Sequence, residues 1–335
     1  MKAIEFQAFG LDHLRLVERP TPTAGPGQLL IRIEAVALNY LDLMVVRGHY
    51  NPQLALPHTP GADGAGTVQA VGEGVTDWQP GDRVTTHFMQ NWLQGPATPH
   101  SADANLGVKQ HGVLAEYVVL PASGVVRTPA HLSSAEAATL PIAGLTAWAG
   151  LIEYGQLRLG QTVLTQGTGG VSIAALQIAK AAGARVIATA GNADKVAQLK
   201  ELGADEVINY RTTPDWPAQA KALTGGQGVD LTINTVGGDS IQQSLQALRM
   251  GGMVGFVGVM GGLEANFNVP QTFGQFATLK GYSVGSRQMF ENYVRALEIT
   301  ALRPVIDRTF SLADTPEAFR YLEGAAHVGK IVISL

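Results

Sequence analysis

The residues best suited to do chemistry lie in one short stretch, from Val163 to Ser172. Gly167 and Gly169 fill the first two positions of a G-x-G-x-x-G pattern, and Ser172, small enough for close helix–strand packing, stands at the third. A turn of this kind, after a strand and before a helix, brings backbone up to a pyrophosphate that rests on the helix N-terminus. Gly167, Thr168, Gly169, Gly170 and Val171 are therefore expected to hold a dinucleotide. About 20 residues further on, sites that prefer NAD place an acid on the ribose hydroxyl. Here the stretch is Thr189-Ala190-Gly191-Asn192-Ala193, with no acid at the strand end. Lys195 and Tyr210 follow and are suited to a 2′-phosphate, so NADP is expected, with NAD as the alternative. Asp194 opposes this less than it first suggests, because an acid at a helix N-terminus is favourable in its own right.

The chain contains no cysteine. This removes disulfides, thiolate nucleophiles and thiolate-bound zinc together, and it fits a reducing, cytoplasmic compartment. The His residues at 13, 49, 58, 87, 100, 111, 131 and 327 form no i, i+4 pair and no local cluster, so no metal site is expected.

The elements that must position these groups follow from composition and pattern. With 335 residues the chain suits two domains. It is 46% hydrophobic and only 15% charged, enough apolar surface to form a core rather than a disordered chain. A net charge of -4 gives no strong field, which argues against nucleic acid or an anionic membrane as partner. The N-terminal ten residues carry charges and no long apolar core, unlike a signal peptide. The charge-free run Leu159 to Ala179 carries too many Gln, Thr and Gly for a membrane span and reads as strand, turn and helix.

The first 125 or so residues read as β-rich, with strands expected over 29–37, 66–72, 81–86 and 115–120. A long loop, 91–110, separates the last two; together with His87 it is a candidate for the substrate mouth, although a solvated loop is the simpler reading. From the capping box Ser133-Ser134-Ala135-Glu136 onward, strands (162–166, 185–190, 206–210, 230–234, 253–259) alternate with helices (171–182, 194–202, 241–249, 287–299). Such alternation means a parallel sheet covered on both faces. The tail from Pro304 reads as strand, helix, strand. Asn234, Val236, Val257 and Gly258 close two of the parallel strands, where cofactors lie in such sheets.

Several short motifs occur in a specific order. They include Ala37-Leu38-Asn39-Tyr40-Leu41-Asp42, Pro60-Gly61-Ala62-Asp63-Gly64, Pro80-Gly81-Asp82-Arg83-Val84, Gly144-Leu145-Thr146-Ala147-Trp148 and the closing Gly329-Lys330-Ile331-Val332. In this order the chain resembles, over essentially its whole length, the medium-chain dehydrogenase/reductase superfamily, and within it the zinc-independent quinone oxidoreductase and alcohol dehydrogenase-like branch. The resemblance implies an α/β protein with two domains and a cleft between them for nicotinamide and substrate. A GroES-like, mostly-β catalytic domain would span 1–127 and 301–335, and a Rossmann domain 128–300. Zinc-dependent members carry Cys at the place of Asn39 and a His–Glu pair at the place of Ala62-Asp63, so the resemblance implies a metal-free site. Asp42, which orients the ligand His in those relatives, is left to hold Asn39 or nearby backbone.

By the same resemblance, Asn39 contacts the nicotinamide ribose or the substrate, Thr146 lies by the nicotinamide, and Lys330 belongs to the cofactor site. Asn39, Tyr40, Asp42 and Tyr50 are the catalytic candidates, the two tyrosines as donors to a substrate oxygen. Carbonyl reduction concentrates negative charge on one oxygen, which a metal stabilises as a Lewis acid. Quinones and enones spread that charge, so a metal-free site favours them. The expected activity is NAD(P)H-dependent reduction of quinones or activated enones. The alternatives are a zinc-free alcohol dehydrogenase or ketone reductase, and a non-catalytic NADPH-binding protein. A homodimer is expected, with the apolar run Met250 to Val259 resembling the sheet edge through which relatives pair.

Overall fold

A computed structural model describes residues 1–335. The chain forms two compact units, Met1–Leu145 with Val284–Leu335, and Thr146–Ser283. Residues 128–145 and 284–300, expected in the Rossmann domain, belong to the first unit, the latter with the helix Arg287–Thr300. Its buried Phe290, Tyr293 and Val294 face that unit, and the Tyr293 ring closes on Gly144.

The first unit opens with an antiparallel hairpin, β1 (Lys2–Phe6) and β2 (Leu14–Glu18), absent from the sequence reading. Its main sheet is built around the long strand β3 (Gln28–Leu38), followed by β4 (Asp63–Val71), β5 (Arg83–Thr86), β6 (Tyr117–Pro121) and β7 (Val125–Arg127). The expected strands are therefore present within a few residues. One edge of β3 is shared. Its first half pairs with β6 (Leu29↔Leu120), and its end pairs with the C-terminal strand of the chain (Ile331↔Leu38). Small side chains at Ala35, Ala37 and Ala65 let the short helix Ser134–Ala138 pack directly on the sheet through Ala137 and Ala138. That helix starts on the expected capping box: Ser133 Oγ accepts the Glu136 N–H, and Glu136 accepts the Ser133 N–H.

The 91–110 segment is exposed over 93–100, as a solvated loop would be, but its second half is built into the unit. Ala104, Leu106 and Val108 are buried, and short bridges join Met89 to Asn105 and Leu106 to Gln110.

The second unit is a six-stranded, all-parallel sheet. Its strands are β8 (Thr162–Gln166), β9 (Arg185–Ala190), β10 (Glu206–Asn209), β11 (Val229–Asn234), β12 (Leu248–Phe256) and β13 (Thr278–Gly281), in the order β10-β9-β8-β11-β12-β13. Counted from β8 this is 3-2-1-4-5-6, the doubly wound order, with its switch point between β8 and β11. Leu164, Ile187, Ile208, Trp216, Leu245 and Val254 form one buried cluster under it. Two strand readings need correction. β12 ends at Phe256, so Val257, Gly258 and Val259 lie beyond it. It is also not the edge, because β13 pairs along it from Thr278 to Gly281. The short β13, with little periodicity of its own, carried no strand signal. The chain ends in the first unit with β14 (Ile306–Ser311), the helix Thr315–Glu323 and β15 (Lys330–Ser334), as the tail pattern implied.

Candidate functional site

In the second unit the glycine turn follows directly on β8. Gly167 has φ 76°, the left-handed region that a side chain disfavours, and permits the tight reversal. Gly169 is extended (φ -67°) and precedes the helix Gly170–Ala181. A Cβ built on either glycine would meet nothing within 4 Å, so the turn faces an open cradle. Ser172 does more than fit the third position. Its hydroxyl donates to the Gln166 carbonyl (2.6 Å), which also accepts from Thr235 Oγ1 (2.9 Å). Strand end, helix start and the loop after β11 are thereby tied together. Thr168 is buried at the turn, and Gly170 and Val171 form the first helical residues.

Asn234 ends β11 fully buried, with its side chain committed to the protein. Nδ2 donates to Ser240 Oγ and Ser244 Oγ, each at 2.9 Å, and Oδ1 accepts from the N–H groups of Val236 (3.1 Å) and Gly237 (2.8 Å). Asn234 thus shapes the loop that presents Val236. Gly258 packs tightly there, since a Cβ would lie 1.8 Å from the Thr235 carbonyl oxygen. Val257 donates its N–H to the Asn234 carbonyl (3.0 Å).

At the ends of β9 and β10, Asn192 caps the helix Ala193–Glu201 by accepting the Lys195 N–H (2.9 Å). Tyr210 folds over Gly191, where a Cβ would lie 2.5 Å from its Oη and 3.5 Å from Arg211 Nε. Arg211, exposed beside Tyr210, was missed in the sequence. The Arg211 N–H bonds Asn209 Oδ1 (3.0 Å), so a turn after β10 returns the cation toward Gly191. Its position directly after Tyr210 was the available signal. Thr146 is buried at the start of this unit.

In the first unit the structure gathers Asn39, Asp42, Asp63 and Lys330 into one buried cluster. The sheet register causes this. Ala37 pairs with Asp63 at the start of β4, and Leu38 with Ile331 at the start of β15, so the ends of three strands meet. Asn39 Nδ2 donates to Asp63 Oδ2 (2.9 Å), and Lys330 Nζ donates to Asn39 Oδ1 (2.6 Å) and the Leu38 carbonyl (2.7 Å). Lys330 Nζ lies 3.8 Å from Asp63 Oδ2. Asp63 Oδ2 also accepts the Ile142 N–H (3.2 Å), while Oδ1 is buried without a partner. Asp42 accepts the N–H of Asn39 (2.8 Å) and of Ala62 (3.0 Å), which fastens the start of the helix Tyr40–Val46.

Burial raises the Asp42 carboxyl to about 6 and the Asp63 carboxyl to about 7, against the opposing pull of the Lys330 ammonium. Burial likewise lowers Lys330, against the pull of both carboxylates. The remaining candidates, Tyr40 and Tyr50, are exposed. Sequence reading named Asn39, Asp42 and Lys330 separately and gave Asp63 no role of its own. The pairing of Lys330 with Asn39, distant in sequence, had no local signal.

Two histidine environments complete this unit. His87 is fully buried, neither ring nitrogen has a partner, and burial beside the Arg287 cation lowers it to about 3. His58 and His111, far apart in sequence, stack at 5.1 Å between ring centres.

Residues 25–130 match the alcohol dehydrogenase GroES-like domain family, and residues 170–298 match the zinc-binding dehydrogenase family. A zinc-type alcohol dehydrogenase-like protein of Schizosaccharomyces pombe is 38% identical over 333 residues, covering 97% of this chain and 96% of that protein. The quinone oxidoreductase of Homo sapiens is 29% identical over 345 residues, 100% of this chain and 98% of that protein. The crystal structure of an NAD-dependent alcohol dehydrogenase superposes with a TM-score of 0.89 at 36% identity and complete coverage of both chains.

The zinc in two of these descriptions does not fit the donors here. A catalytic zinc needs three protein ligands from thiolate, imidazole or carboxylate. There is no cysteine, no three His, Asp or Glu side chains converge, and Asp42 and Asp63 already serve backbone N–H groups, Asn39 and Lys330. The open cradle at Gly167–Gly169, in contrast, fits a dinucleotide pyrophosphate on the helix that follows. With the doubly wound sheet, this cradle and full-length relatives in agreement, the chain belongs to the medium-chain dehydrogenase/reductase superfamily, as an NAD(P)-dependent oxidoreductase.

Proposed function

We propose that the protein transfers hydride from NADPH to quinones or activated enones without a metal ion. The observation that carries this reading is the buried Asn39–Asp63–Lys330 cluster: the corner has its own cation, and no third His, Asp or Glu joins its carboxylates to complete a metal site. Without a Lewis acid, acceptors that delocalise the incoming charge are favoured over simple ketones. The curated relative from Homo sapiens described as a quinone oxidoreductase supports the same direction.

The bound nicotinamide would supply the hydride. Gly167, Thr168, Gly169, Gly170 and Val171 would hold its pyrophosphate, and Val236, Val257 and Gly258 would line the strand ends beside it. Asn234 holds the loop that carries Val236. Thr146 is assigned to the nicotinamide. Lys195, Tyr210 and Arg211 would take the 2′-phosphate, which supports NADP over NAD. Asn39, fixed in place, would meet the ribose or substrate. Tyr40 and Tyr50 are the donors assigned to the substrate oxygen.

A second reading, NAD-dependent alcohol or ketone chemistry, is favoured by the alcohol dehydrogenase description of the superposed structure. We further assign the protein to a cytoplasmic homodimer. Met260, Leu263, Phe273 and Phe276 are 60–85% exposed in one stretch of the second unit, an apolar surface suited to a second copy. No helix is long and apolar enough to cross a membrane. A panel of quinones, enones, ketones and alcohols with both cofactors tests the chemistry. Quinone or enone turnover with NADPH is expected; turnover of alcohols and ketones alone would establish the second reading.

A further inference from the structure

The Asn39 side chain is an amide held between opposite charges. Its carbonyl oxygen meets the Lys330 ammonium at 2.6 Å, and its amino group meets the Asp63 carboxylate at 2.9 Å. Turning the amide over would set oxygen against carboxylate and NH2 against ammonium, replacing two attractions by two repulsions. The surroundings amplify the difference, because Asn39, Asp63 and Lys330 are 8%, 0% and 5% exposed and water cannot screen them. The short bonds of Lys330 end on protein oxygens, those of Leu38 and Asn39. Asp42, which bonds the Asn39 N–H from the other side, fixes the backbone of the same residue. Four chain segments, the starts of β4 and β15, the end of β3 and the turn at Ile142, are joined through this one amide and its partners.

We infer that Lys330 is a positioning residue: through the Lys330–Asn39–Asp63 chain it locks the Asn39 amide in one orientation and supplies the positive charge that this carboxylate-bearing corner requires. This role differs from direct contact with the cofactor, which the resemblance alone implied for Lys330. It rests on the reading above in one respect, that Asn39 meets the ligand.

The test compares Lys330→Met, which removes charge and donor, with Lys330→Gln, which keeps a donor to Asn39. For each, kcat and KM for NADPH-dependent quinone reduction and the thermal midpoint are measured from pH 5.5 to 9. Lys330→Met is expected to lower kcat roughly 10- to 100-fold with little change in the KM for NADPH, as a misplaced reacting group does. Lys330→Gln is expected to recover part of that loss. The kcat–pH profile of Lys330→Met should shift to higher pH, because Asp42 and Asp63 lose the cation that opposes their protonation. Its thermal midpoint should fall more steeply than that of the parent as pH rises above about 6, where those carboxyls are forced to ionise unpaired.

A Lys330→Met protein with parental kcat, parental pH profile and a parallel midpoint–pH curve would overturn the inference. If that variant does not fold, Asp63→Asn carries the same comparison, and an unaltered pH profile and midpoint curve there would overturn it equally. If the parent oxidises NADPH with none of the quinones or enones offered, the proposed function fails, while the midpoint–pH comparison still decides the role of Lys330.

Discussion

At Gly169 the missing side chain is not required by packing, and the proposed function gives it a role in admitting the dinucleotide. Its backbone is in an ordinary extended region, and a Cβ would meet open space. Gly169→Val should therefore leave the thermal midpoint within a degree or two but weaken dinucleotide binding at least about tenfold, or about 1.4 kcal/mol. Titration of cofactor fluorescence with a parallel melt checks both halves. His87 makes the opposite kind of prediction. Its folded-state value is depressed to about 3 from 6.5. Below about pH 6.5 the unfolded chain takes a proton that the folded chain refuses, so stability is lost as pH falls toward 3. Melts of His87→Leu and the parent should diverge progressively below pH 6.5, with the variant relatively more stable in acid; parallel curves would contradict this. The turn at Gly167 and Gly169 was legible because it is written in local spacing. The Lys330–Asn39 bond was not, because only the sheet register brings the two ends of the chain together.

Among the elements, the loops after β11 and β12 depend on contact between backbones. A Cβ at Gly258 would collide with the Thr235 carbonyl at 1.8 Å. Gly258→Ala should destabilise the protein by about 1–3 kcal/mol, as overpacking does, and loosen the loop carrying Val236. Denaturant unfolding measures the first effect and cofactor affinity the second. The cap at Ser133 is a milder case, with Ser133→Ala expected to cost about 1 kcal/mol. The βαβ units were legible from alternating apolar runs and glycine stops, and β8 and β9 fall on the residues expected. The hairpin β1–β2, the short helix Tyr40–Val46 and the edge strand β13 were not. Each is too short for periodicity to separate it from loop, and each is fixed by its partners: β2 by β1, Tyr40–Val46 by the Asp42 bonds, β13 by β12. The buried second half of the 91–110 segment was not legible for the same reason, since Leu106 and Val108 follow no repeating pattern.

The molecule as a whole combines a doubly wound sheet with a mostly-β unit assembled from both ends of the chain. The exposed Met260, Leu263, Phe273 and Phe276 argue for a second copy over that surface. Sedimentation at low micromolar concentration should report twice the 35.2 kDa chain mass, and Leu263→Glu with Phe273→Glu should shift it to the monomer. A monomeric parent would contradict the assignment. The central claim is metal-free hydride transfer from NADPH to a delocalised acceptor. The most direct measurement is steady-state NADPH oxidation by a simple quinone after exhaustive chelation, with metal content measured on the same sample. The account predicts full activity with substoichiometric metal. Activity lost on chelation and restored by zinc would contradict it.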